Sequence, residues 1–535
     1  MNDVARDSRQ LDDAAELLWS RWKGRILVKR VEQAAALKVE CGKEDLREFC
    51  EWISEERGRL LATQVVEETS AGFLLTYVFY PESTEPWIFV ETRIAAGETA
   101  PSLVALSRGP SFDWHEREAE DLFGLRFEGH PRLGEFVLHE EWPEGVNPMR
   151  RSFSAKAWRG ERDSNASWRP PRALLEPGSF AMPIGPIFSD FAESSHFLLE
   201  TVGEDVVRTI PRFFYKYRGV EKIAEGQTID RVLLLAERFS GASAFAHGLA
   251  FCQAVEAICE IEPPPRAKAL RVLFAELERL RHHAASITGI CNSTALAIAT
   301  SQASLIEEEL LRLTGEIVRH RYFFGVIALG GVACDLDDAQ ARRLGDRVKE
   351  IGGRIGELHR LLRYSSSFLD RLEEVGVVSP EAALTYGLVG PIGRASGLKR
   401  DVRKLRPYAI YDGVDFVAPT EQEGDGYARL RVFFREAEQS ALIISQTLSN
   451  LPTGHLVAGP ARTRSGAALG AVEAPSGAAF HWVRLTEDGA VTRWRVTPPS
   501  FPNWHGFHLA AEKFAFQDFP IILATFGLSN AECDR

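Results

Sequence analysis

The stretch of the chain with the most distinctive chemistry combines two serines and a histidine at short, fixed spacing. Ser240, Gly241 and Ser243 form a turn of small residues, and His247 follows four residues after the second serine. An imidazole can bind a metal or transfer a proton near neutral pH, whereas a serine hydroxyl is normally protonated and is a poor ligand for soft metals. Taken alone, such a turn is typical of the tight start of a helix. Other parts of the chain must therefore decide whether it lines a functional site.

Length and composition are those of a folded soluble protein with more than one domain. The chain has 535 residues, of which 45% are hydrophobic and 26% are charged. A net charge of −12 argues against a nucleic acid as partner. The first residues lack the apolar core of a signal peptide, and no run approaches the ~20 apolar residues that span a bilayer. We therefore expect a cytoplasmic protein, peripheral on the inner face of the cell membrane and attached there through partners.

The seven cysteines limit the metal chemistry that the chain can support. They include no Cys-x-x-Cys pair and no His/Cys cluster with zinc spacing, so we expect them to be reduced and mainly buried. An iron-sulfur cubane needs about four thiolates held together, and these are scattered. No Gly-x-Gly-x-x-Gly follows a predicted strand, so an NADH site would belong to another subunit.

Local patterns predict an α+β domain over residues 1–135. Helical stretches at 11–22 and 43–52 precede strand-like runs at 73–80 and 87–93, which are rich in aromatic and β-branched residues. The segment 136–178 follows, rich in Pro, Arg, Ser and Trp without periodicity, and it predicts a linker or an extended arm.

Residues 179–535 predict a second domain, a mainly α-helical bundle with small β elements. Apolar side chains recur at helical spacing over 266–283 and again over 301–321. His282 and His283 are predicted to form a polar helix end. The charged residues of the first helix are expected to lie largely away from the core: Arg271, Glu278, Arg279 and Arg281.

A dense group of charged and glycine positions closes the first domain. In order, it comprises Glu116, Arg117, Glu118, Asp121, Leu122, Phe123, Gly124, Gly129, His130 and Pro131. A charged triplet alone is typical of a solvated helix face. The ten positions together closely resemble the signature of the small peripheral subunit of respiratory complex I. Within that resemblance we expect a structural role, docking to another subunit, for Glu116, Arg117, Glu118, Asp121 and His130.

Four later blocks resemble, in order and spacing, blocks shared by the complex I large subunit and the energy-converting nickel-iron hydrogenases. They are residues 390–397, 401–403, 407–412 and 423–429. The resemblance covers about residues 110–535 and implies a fold like that of the nickel-iron hydrogenase large subunit. Fusion of the two subunits through an arm is also the arrangement of formate hydrogenlyase-type hydrogenases.

The same resemblance shows which metal ligands are missing. Hydrogenases carry Glu-Arg-x-Cys-Gly-x-Cys-x-x-x-His and a Cys-x-x-Cys near the C-terminus. In this chain Glu237, Arg238, Gly241 and His247 match the first pattern. The four cysteine positions and that of a nearby arginine are occupied by Ser240, Ser243, Ser529, Glu532 and Ser476. We therefore expect no nickel-iron centre and no metal in this chain.

The quinone-binding residues of complex I are replaced as well. That family places a histidine and a tyrosine beside the quinone headgroup, and the matching positions here are Phe188 and Gly241. The sequence thus resembles both families and carries neither site in full.

Three hypotheses on function follow. The first is the large subunit of a membrane-associated, complex I-like or hydrogenase-four-like oxidoreductase, linked to NADH dehydrogenase or to a quinone, without a nickel-iron centre. It implies an iron-sulfur small subunit with its cluster, integral membrane subunits and a quinone as partners, and assigns proton chemistry to His247 and Glu532. The second is a catalytically silent scaffold of an ion-translocating complex. The third is a hydrogenase with unusual ligands.

Overall fold

The structure is a computed structural model that describes residues 2–31, 36–81, 85–140, 142–143, 145–155, 177–188, 193–459 and 462–535. The chain divides into two compact units. The N-terminal unit comprises residues 1–173 with 384–387, and the C-terminal unit comprises 174–383 with 388–535. The predicted domain boundaries at 135 and 178 stay predictions, and residues 156–176 of the predicted arm lie outside the described residues.

A five-stranded sheet forms the centre of the N-terminal unit. Its strand order is β1-β2-β5-β4-β3, with β2 and β5 parallel and the other pairs antiparallel. The predicted helices and strands of this region all coincide with observed elements. These are α1 (Asn2–Arg21), β1 (Ile26–Val31), β2 (Ala36–Cys41), α2 (Leu46–Glu55), β3 (Leu60–Thr69), β4 (Gly72–Tyr80), β5 (Trp87–Ala95), β6 (Ala100–Pro101), α3 (Pro110–Phe123) and β7 (Phe127–Glu128).

The C-terminal unit combines small sheets with long helices. Its elements up to the middle of the unit are β8 (Ser179–Ile184), β9 (His196–Val202), β10 (Asp205–Arg212), α4 (Val220–Ala224), β11 (Gln227–Thr228), α5 (Ile229–Arg238), α6 (Ala244–Cys259), α7 (Pro265–Ser293), α8 (Ala297–Val318), β12 (Ile327–Ala328), β13 (Gly331–Val332) and α9 (Asp338–Leu362).

The remaining elements are α10 (Ser366–Leu369), α11 (Pro380–Thr385), α12 (Gly390–Ala395), α13 (Val402–Leu405), α14 (Gly426–Ser449), β14 (Gly466–Ala474), β15 (Gly477–Leu485), β16 (Ala490–Thr497), α15 (Ser500–His505), α16 (Phe507–Ala510), β17 (Phe514–Ala515), α17 (Phe519–Phe526) and α18 (Asn530–Asp534), with 3₁₀ turns at Tyr411–Gly413 and Phe516–Asp518. Helices and sheets together confirm the predicted mixture of the two.

Helices α7, α8, α9 and α14 pack against one another and form the main hydrophobic core. Helix α7 is surrounded, because α6, α8, α14 and α17 all contact it. The prediction that its charged residues face away from the core is therefore wrong, and so is the prediction of a polar helix end at His282 and His283. The buried side chains of α7 include Arg271, Glu278, Arg279, Arg281, His282 and His283.

The sheet that positions the candidate site has the order β11-β16-β15-β14. Helix α6 packs across β14 and β15, and α15 contacts the C-terminal helix α18. The close approach of α6 to β14 requires a glycine: a Cβ at Gly470 would lie 1.8 Å from the carbonyl oxygen of Ala250. Within the described part of the chain, no helix is both long enough and apolar enough to cross a membrane.

Candidate functional site

Four elements bring a line of polar side chains together inside the C-terminal unit. His247 lies in the first turn of α6, His481 on β15, Trp494 on the neighbouring strand β16 and Glu532 in α18. All four side chains are buried. Phe239, at the end of α5, packs against His247 with 4.4 Å between ring centroids. The site is thus built from parts of the chain almost 300 residues apart in sequence, since the His247–Glu532 contact spans 285 positions.

Hydrogen bonds join these side chains in a row. The indole N–H of Trp494 donates to Nδ1 of His481 at 3.1 Å. His481 Nε2 lies 3.0 Å from His247 Nδ1, and His247 Nε2 lies 3.0 Å from Oε1 of Glu532. The second carboxylate oxygen of Glu532 accepts from both the hydroxyl and the amide of Ser500. Both oxygens of the buried carboxylate are therefore hydrogen-bonded, as buried polar groups require.

The electrostatics favour an ionised carboxylate at Glu532 and a neutral imidazole at His481. Burial opposes the charge on Glu532. The hydrogen bond from His247, the positive charge that His247 carries when it is protonated and the hydrogen bond from Ser500 together outweigh burial and lower the pKa of Glu532 below its ordinary value. Burial, with His247 as neighbour, holds the pKa of His481 well below its ordinary value. The described ion pairs give Glu532 one partner only, His247. The pair thus carries a buried negative charge that neither an arginine nor a lysine neutralises among the described residues.

The serines at the degenerate metal positions fall into two classes. Ser240 and Ser243 are buried, and neither hydroxyl has a hydrogen-bond partner among the described residues. The Ser243 hydroxyl makes no hydrogen bond of ordinary geometry, yet it helps to lower the pKa of Glu532. Ser529 lies 3.0 Å from the carboxylate of Glu193 and caps α18 by accepting from the amide of Glu532.

Ser476, at the position where hydrogenases have the arginine, contacts a second buried histidine, His282. Ser476 Oγ lies 3.2 Å from Nε2 of His282 on α7. Nδ1 of His282 has no hydrogen-bond partner within the described ranges. Burial and the neighbouring His283 hold the pKa of His282 well below its ordinary value, so this histidine is neutral. No cation is supplied at this position.

Comparison with known proteins gives these positions a context. Residues 39–158 match the family described as respiratory-chain NADH dehydrogenase, 30 Kd subunit, and residues 297–465 and 456–535 match the 49 Kd subunit. The chain is 30% identical over 471 residues to formate hydrogenlyase subunit 5 of Escherichia coli (strain K12), which covers 86% of this chain and 82% of that protein. This chain belongs to the family of fused complex I-type subunits.

Two further members of the family carry different names. The C/D fusion protein of NADH-quinone oxidoreductase from Acinetobacter baumannii (strain AYE) is 28% identical over 497 residues, which covers 83% of this chain and 82% of that protein. Hydrogenase-4 component G of E. coli is 28% identical over 476 residues, with 88% and 82% covered. The resemblance to both complex I and the energy-converting hydrogenases is thereby confirmed.

Judged by its donor atoms, the site does not fit the nickel-iron centre of the hydrogenase members of the family. Its four ligand positions offer three hydroxyls and one carboxylate in place of thiolates. Ser529 already bonds Glu193, and both oxygens of Glu532 already accept from His247 and Ser500. No group of three His, Cys, Asp or Glu side chains suited to a metal occurs among the described residues.

The positions that bind quinone in complex I members supply no polar side chain here. Phe188 is half-buried at the end of the described part of the β8–β9 loop, next to residues 189–192, which lie outside the described residues. Gly241 has open space where a side chain would be. Neither residue can donate a hydrogen bond or a proton from its side chain to a bound molecule.

The predicted docking residues Glu116 and His130 lie inside the N-terminal unit. Glu116 accepts from the hydroxyl of Ser102 at 2.6 Å and from the amide of Leu103 at 2.7 Å. Burial raises the pKa of Glu116 to about 8. The imidazole of His130, also inaccessible to solvent, lies 3.2 Å from the carboxylate of Asp113. Neither side chain reaches the surface of the chain.

The other three predicted docking residues organise the segment that follows the helix. One carboxylate oxygen of Asp121 accepts the amides of residues 136–138 at 2.9, 2.7 and 3.0 Å. The guanidinium of Arg117 stacks 4.3 Å from the ring centroid of Phe136, and Glu118 is buried. Their role in docking stays a prediction, and it would have to act through the segment that they hold in place.

The sequence singled out His247 and Glu532, which the structure brings together. It did not single out His481, Trp494 and Ser500, which complete the hydrogen-bonded row. The available signal was weak. His481 stands within the run Ala478-Ala-Phe-His-Trp482, where a histidine among apolar strand residues indicates a buried and therefore hydrogen-bonded imidazole. Nothing in the local pattern indicates that its partner is 234 positions away.

Proposed function

We propose that this chain is the fused peripheral subunit of a membrane-associated oxidoreductase complex of the complex I or hydrogenase-four type, and that it works without a nickel-iron centre. Its C-terminal unit has a fold of the nickel-iron hydrogenase large-subunit kind. An iron-sulfur subunit supplies electrons, integral membrane subunits form the other arm, and the acceptor is a quinone. The complex lies on the inner face of the cell membrane.

The single observation that carries the proposal is the hydrogen bond between His247 and Glu532. It joins the histidine of the first ligand loop to the residue at the last ligand position, both inside the unit. His247 and Glu532 therefore form a hydrogen-bonded pair that can exchange a proton, at the place where the hydrogenase thiolates are missing. The carboxylate is bonded through both oxygens but has no arginine or lysine partner among the described residues, which leaves its charge free to be neutralised by a proton.

The pair can supply what quinone reduction requires. A quinone that takes two electrons from the iron-sulfur partner also takes two protons to become a hydroquinone. Glu532 is ionised at rest and bonded through both oxygens, with no arginine or lysine paired to it among the described residues. A proton that it takes up transiently therefore breaks no ion pair with a fixed cation and can be passed on. His247 holds the carboxylate in place through Nε2.

The metal content of the assembled complex tests the proposal. The complex is purified through a tag on this chain, analysed for nickel and iron, and followed by low-temperature EPR during reduction. We expect iron without stoichiometric nickel, and clusters that reoxidise when a quinone is added. Stoichiometric nickel would overturn the proposal in favour of a hydrogenase with unusual ligands. Neither metal, in a complex that still contains the membrane subunits, would make this chain a silent scaffold.

Variants then test the pair itself. His247→Ala should slow quinone-dependent reoxidation by up to about 100-fold, because it removes the hydrogen bond that holds the Glu532 carboxylate in place for proton transfer. His283→Ala is the matched control, because His283 is equally buried and is bonded at 2.9 Å to Glu436, which does not stand at a ligand position. Equal losses in the two variants would mean that His247 acts on stability alone.

A further inference from the structure

The direction of each hydrogen bond in the row from Trp494 to Glu532 follows from one donor that cannot be reversed. An indole nitrogen carries a hydrogen and has no acceptor capacity. Trp494 therefore donates to His481, and Nδ1 of His481 must be without a proton to accept at 3.1 Å. Since a neutral imidazole carries one proton, that proton is on Nε2 of His481.

The position of the proton on His247 follows from its position on His481. His481 donates from Nε2, so Nδ1 of His247 is the acceptor in the 3.0 Å contact between the two rings. The remaining proton of His247 is on Nε2 and is donated to Oε1 of Glu532. If His247 carried protons on both nitrogens, His481 would have to accept on both of its own, which only an imidazolate can do. The row is compatible with a neutral His247 and no other state.

We propose that Trp494 is a positioning residue: by donating to His481 it fixes the tautomers of both histidines. As a result the His247–Glu532 pair keeps a single proton, on Nε2 of His247, and Glu532 stays ionised. The inference rests on the proposed function, because it assigns the protonation state of the same pair. An incoming proton then has Glu532 as its acceptor, rather than His247. Without the indole donor, His481 could move its proton to Nδ1, accept from His247 through Nε2 and allow His247 to become an imidazolium.

Charged groups near His247 also come from α5 and α7, but among the described residues only two titratable side chains bond its ring. From α7, Glu278 accepts the amides of Phe245 and Ala246 and Arg281 donates to the carbonyl of Ala242, so both face the backbone at the start of α6. The titratable groups bonded to it are His481 from β15 and Glu532 from α18. Phe239, the ring packed against it from the end of α5, does not titrate. Glu237, on the last turn of α5, directs its carboxylate to the amide of Gly325 and to Arg238.

Packing against two aromatic rings fixes the position of the Trp494 indole relative to His481. The ring of Trp494 lies 6.0 Å from that of Phe251 and 6.3 Å from that of Phe239, both in edge-to-face geometry. A ring fixed on two sides keeps its N–H directed at one acceptor. The donor that sets the tautomers is therefore a rigid one.

Nitrogen NMR of the full-length chain labelled with ¹⁵N-histidine tests the proposal directly, because the shifts of the two ring nitrogens distinguish both neutral tautomers and the imidazolium. His247 and His481 are assigned from His247→Asn and His481→Asn. In the unaltered chain we expect both as the Nε2–H tautomer from about pH 8 to about pH 6, the range in which histidine ordinarily titrates. An Nδ1–H tautomer at His481, or an imidazolium at His247, would overturn the proposal without any variant.

Trp494→Phe keeps a ring in place and removes the donor. We expect the Nδ1–H tautomer of His481 to appear and His247 to gain a second proton as the pH falls over the same range. Trp142→Phe is the matched control, since it removes an indole hydrogen bond to the carbonyl of Val146 in the N-terminal unit and should leave the histidine spectrum unchanged. A Trp494→Phe spectrum identical to that of the unaltered chain would contradict the proposal.

Two further experiments separate a failure of this proposal from a failure to fold and from a failure of the proposed function. If Trp494→Phe fails to fold, His481→Phe removes the same constraint on Nδ1 of His247 and should likewise let it gain a second proton; if His247 stays neutral there, the proposal is wrong. In the assembled complex, Trp494→Phe should change the pH profile of quinone reduction on its acid side. In the isolated full-length chain, NMR measures the accompanying change in the protonation of His481 and His247. Loss of the proposed function alone would leave the tautomer result intact.

Discussion

Two buried His–Glu pairs in the C-terminal unit have almost the same contact and very different surroundings. His247 and Glu532 are 3.0 Å apart, and His283 and Glu436 are 2.9 Å apart. Glu436 also receives the guanidinium of Arg394 at 2.7 Å. Glu532 receives two hydrogen bonds from Ser500 and no cation from the described chain. The two pairs therefore differ in whether an arginine neutralises the carboxylate: Arg394 does so for Glu436, and no described arginine or lysine does so for Glu532.

The second pair is part of a buried network in which every carboxylate contacts an arginine. Arg394 bonds both Glu436 and Glu473, Arg403 bonds Asp401 and Glu276, and Arg279 contacts Glu276. Tyr411 and Ser440 donate to Glu276 as well. The network ties α7, α12, α13, α14 and β14 together.

This comparison separates a structural use of buried charge from a chemical one. In the network, Arg394 opposes the effect of burial on Glu436 and lowers the pKa of Glu436 far below the ordinary range, so that carboxylate does not exchange protons near neutral pH. At the candidate site the charge of Glu532 is held by His247 and Ser500, with no arginine or lysine paired to it among the described residues. A carboxylate of that kind can be neutralised by a proton without breaking an ion pair.

The largest expected effect is on the network. Arg394→Met leaves the carboxylates of Glu436 and Glu473 buried without their common cation, and breaking a buried pair in this way costs about 3–5 kcal/mol. Guanidinium unfolding of the C-terminal unit, followed by tryptophan fluorescence, measures the loss. As a control, Arg312→Met removes an exposed partner of Glu308 and should leave the midpoint unchanged. A loss below about 1 kcal/mol for Arg394→Met would remove the distinction drawn between the two pairs.

A pH-dependent effect of intermediate size is expected at a third buried carboxylate. Glu278 accepts the amides of Phe245 and Ala246 at the start of α6, and burial raises the pKa of Glu278 to about 7. A raised carboxyl pKa means that the folded chain binds the proton more tightly. Its contribution to stability is therefore lost as the pH rises from about 4.5 to about 7.

Glu278→Gln removes this dependence. Relative to the variant, the unaltered chain should lose on the order of 2–3 kcal/mol between pH 4.5 and pH 7, the linkage expected for a shift of this direction and size. Denaturant titrations of both chains across that range give the difference. Parallel curves would show that Glu278 is ionised in the folded chain without penalty.

The smallest effects distinguish the serines at the degenerate ligand positions. Ser529→Ala removes the cap of α18 and the contact with Glu193, which should cost about 1 kcal/mol. Ser240→Ala removes a buried hydroxyl that has no partner among the described residues, so it should be neutral or stabilising. Thermal unfolding of the two variants side by side provides the measurement. A destabilising Ser240→Ala would mean that a bound group satisfies that hydroxyl.

Sequence patterns located the elements well where the signal was local. The aromatic and β-branched runs of β4 and β5 and the apolar spacing of the long helices lie within short windows, and the observed elements coincide with them. Helix α7 shows the limit. Its apolar stripe was visible, but its charged residues are buried because partners from α14, α13 and β14 surround it, and those partners are distant in sequence.

The candidate site was predictable in part for the same reason. Fixed spacing identified His247 and, by its distance from the C-terminus, Glu532. His481 and Trp494 have no spacing relation to either, since they come from strands whose register with each other is set by the sheet. The charged motif after residue 113 was also evident, yet its partners, Ser102, Leu103 and the amides of residues 136–138, have no spacing relation that the sequence reveals.

The most direct test of the account compares the two carboxylates in the assembled complex. Glu532→Gln and Glu436→Gln are each purified through the same tag, and both the yield of complex and the rate of quinone-dependent reoxidation per complex are measured. The account predicts that Glu532→Gln assembles and slows reoxidation by on the order of 100-fold, while Glu436→Gln lowers the yield and leaves the rate per complex unchanged. Unchanged reoxidation in Glu532→Gln would contradict it.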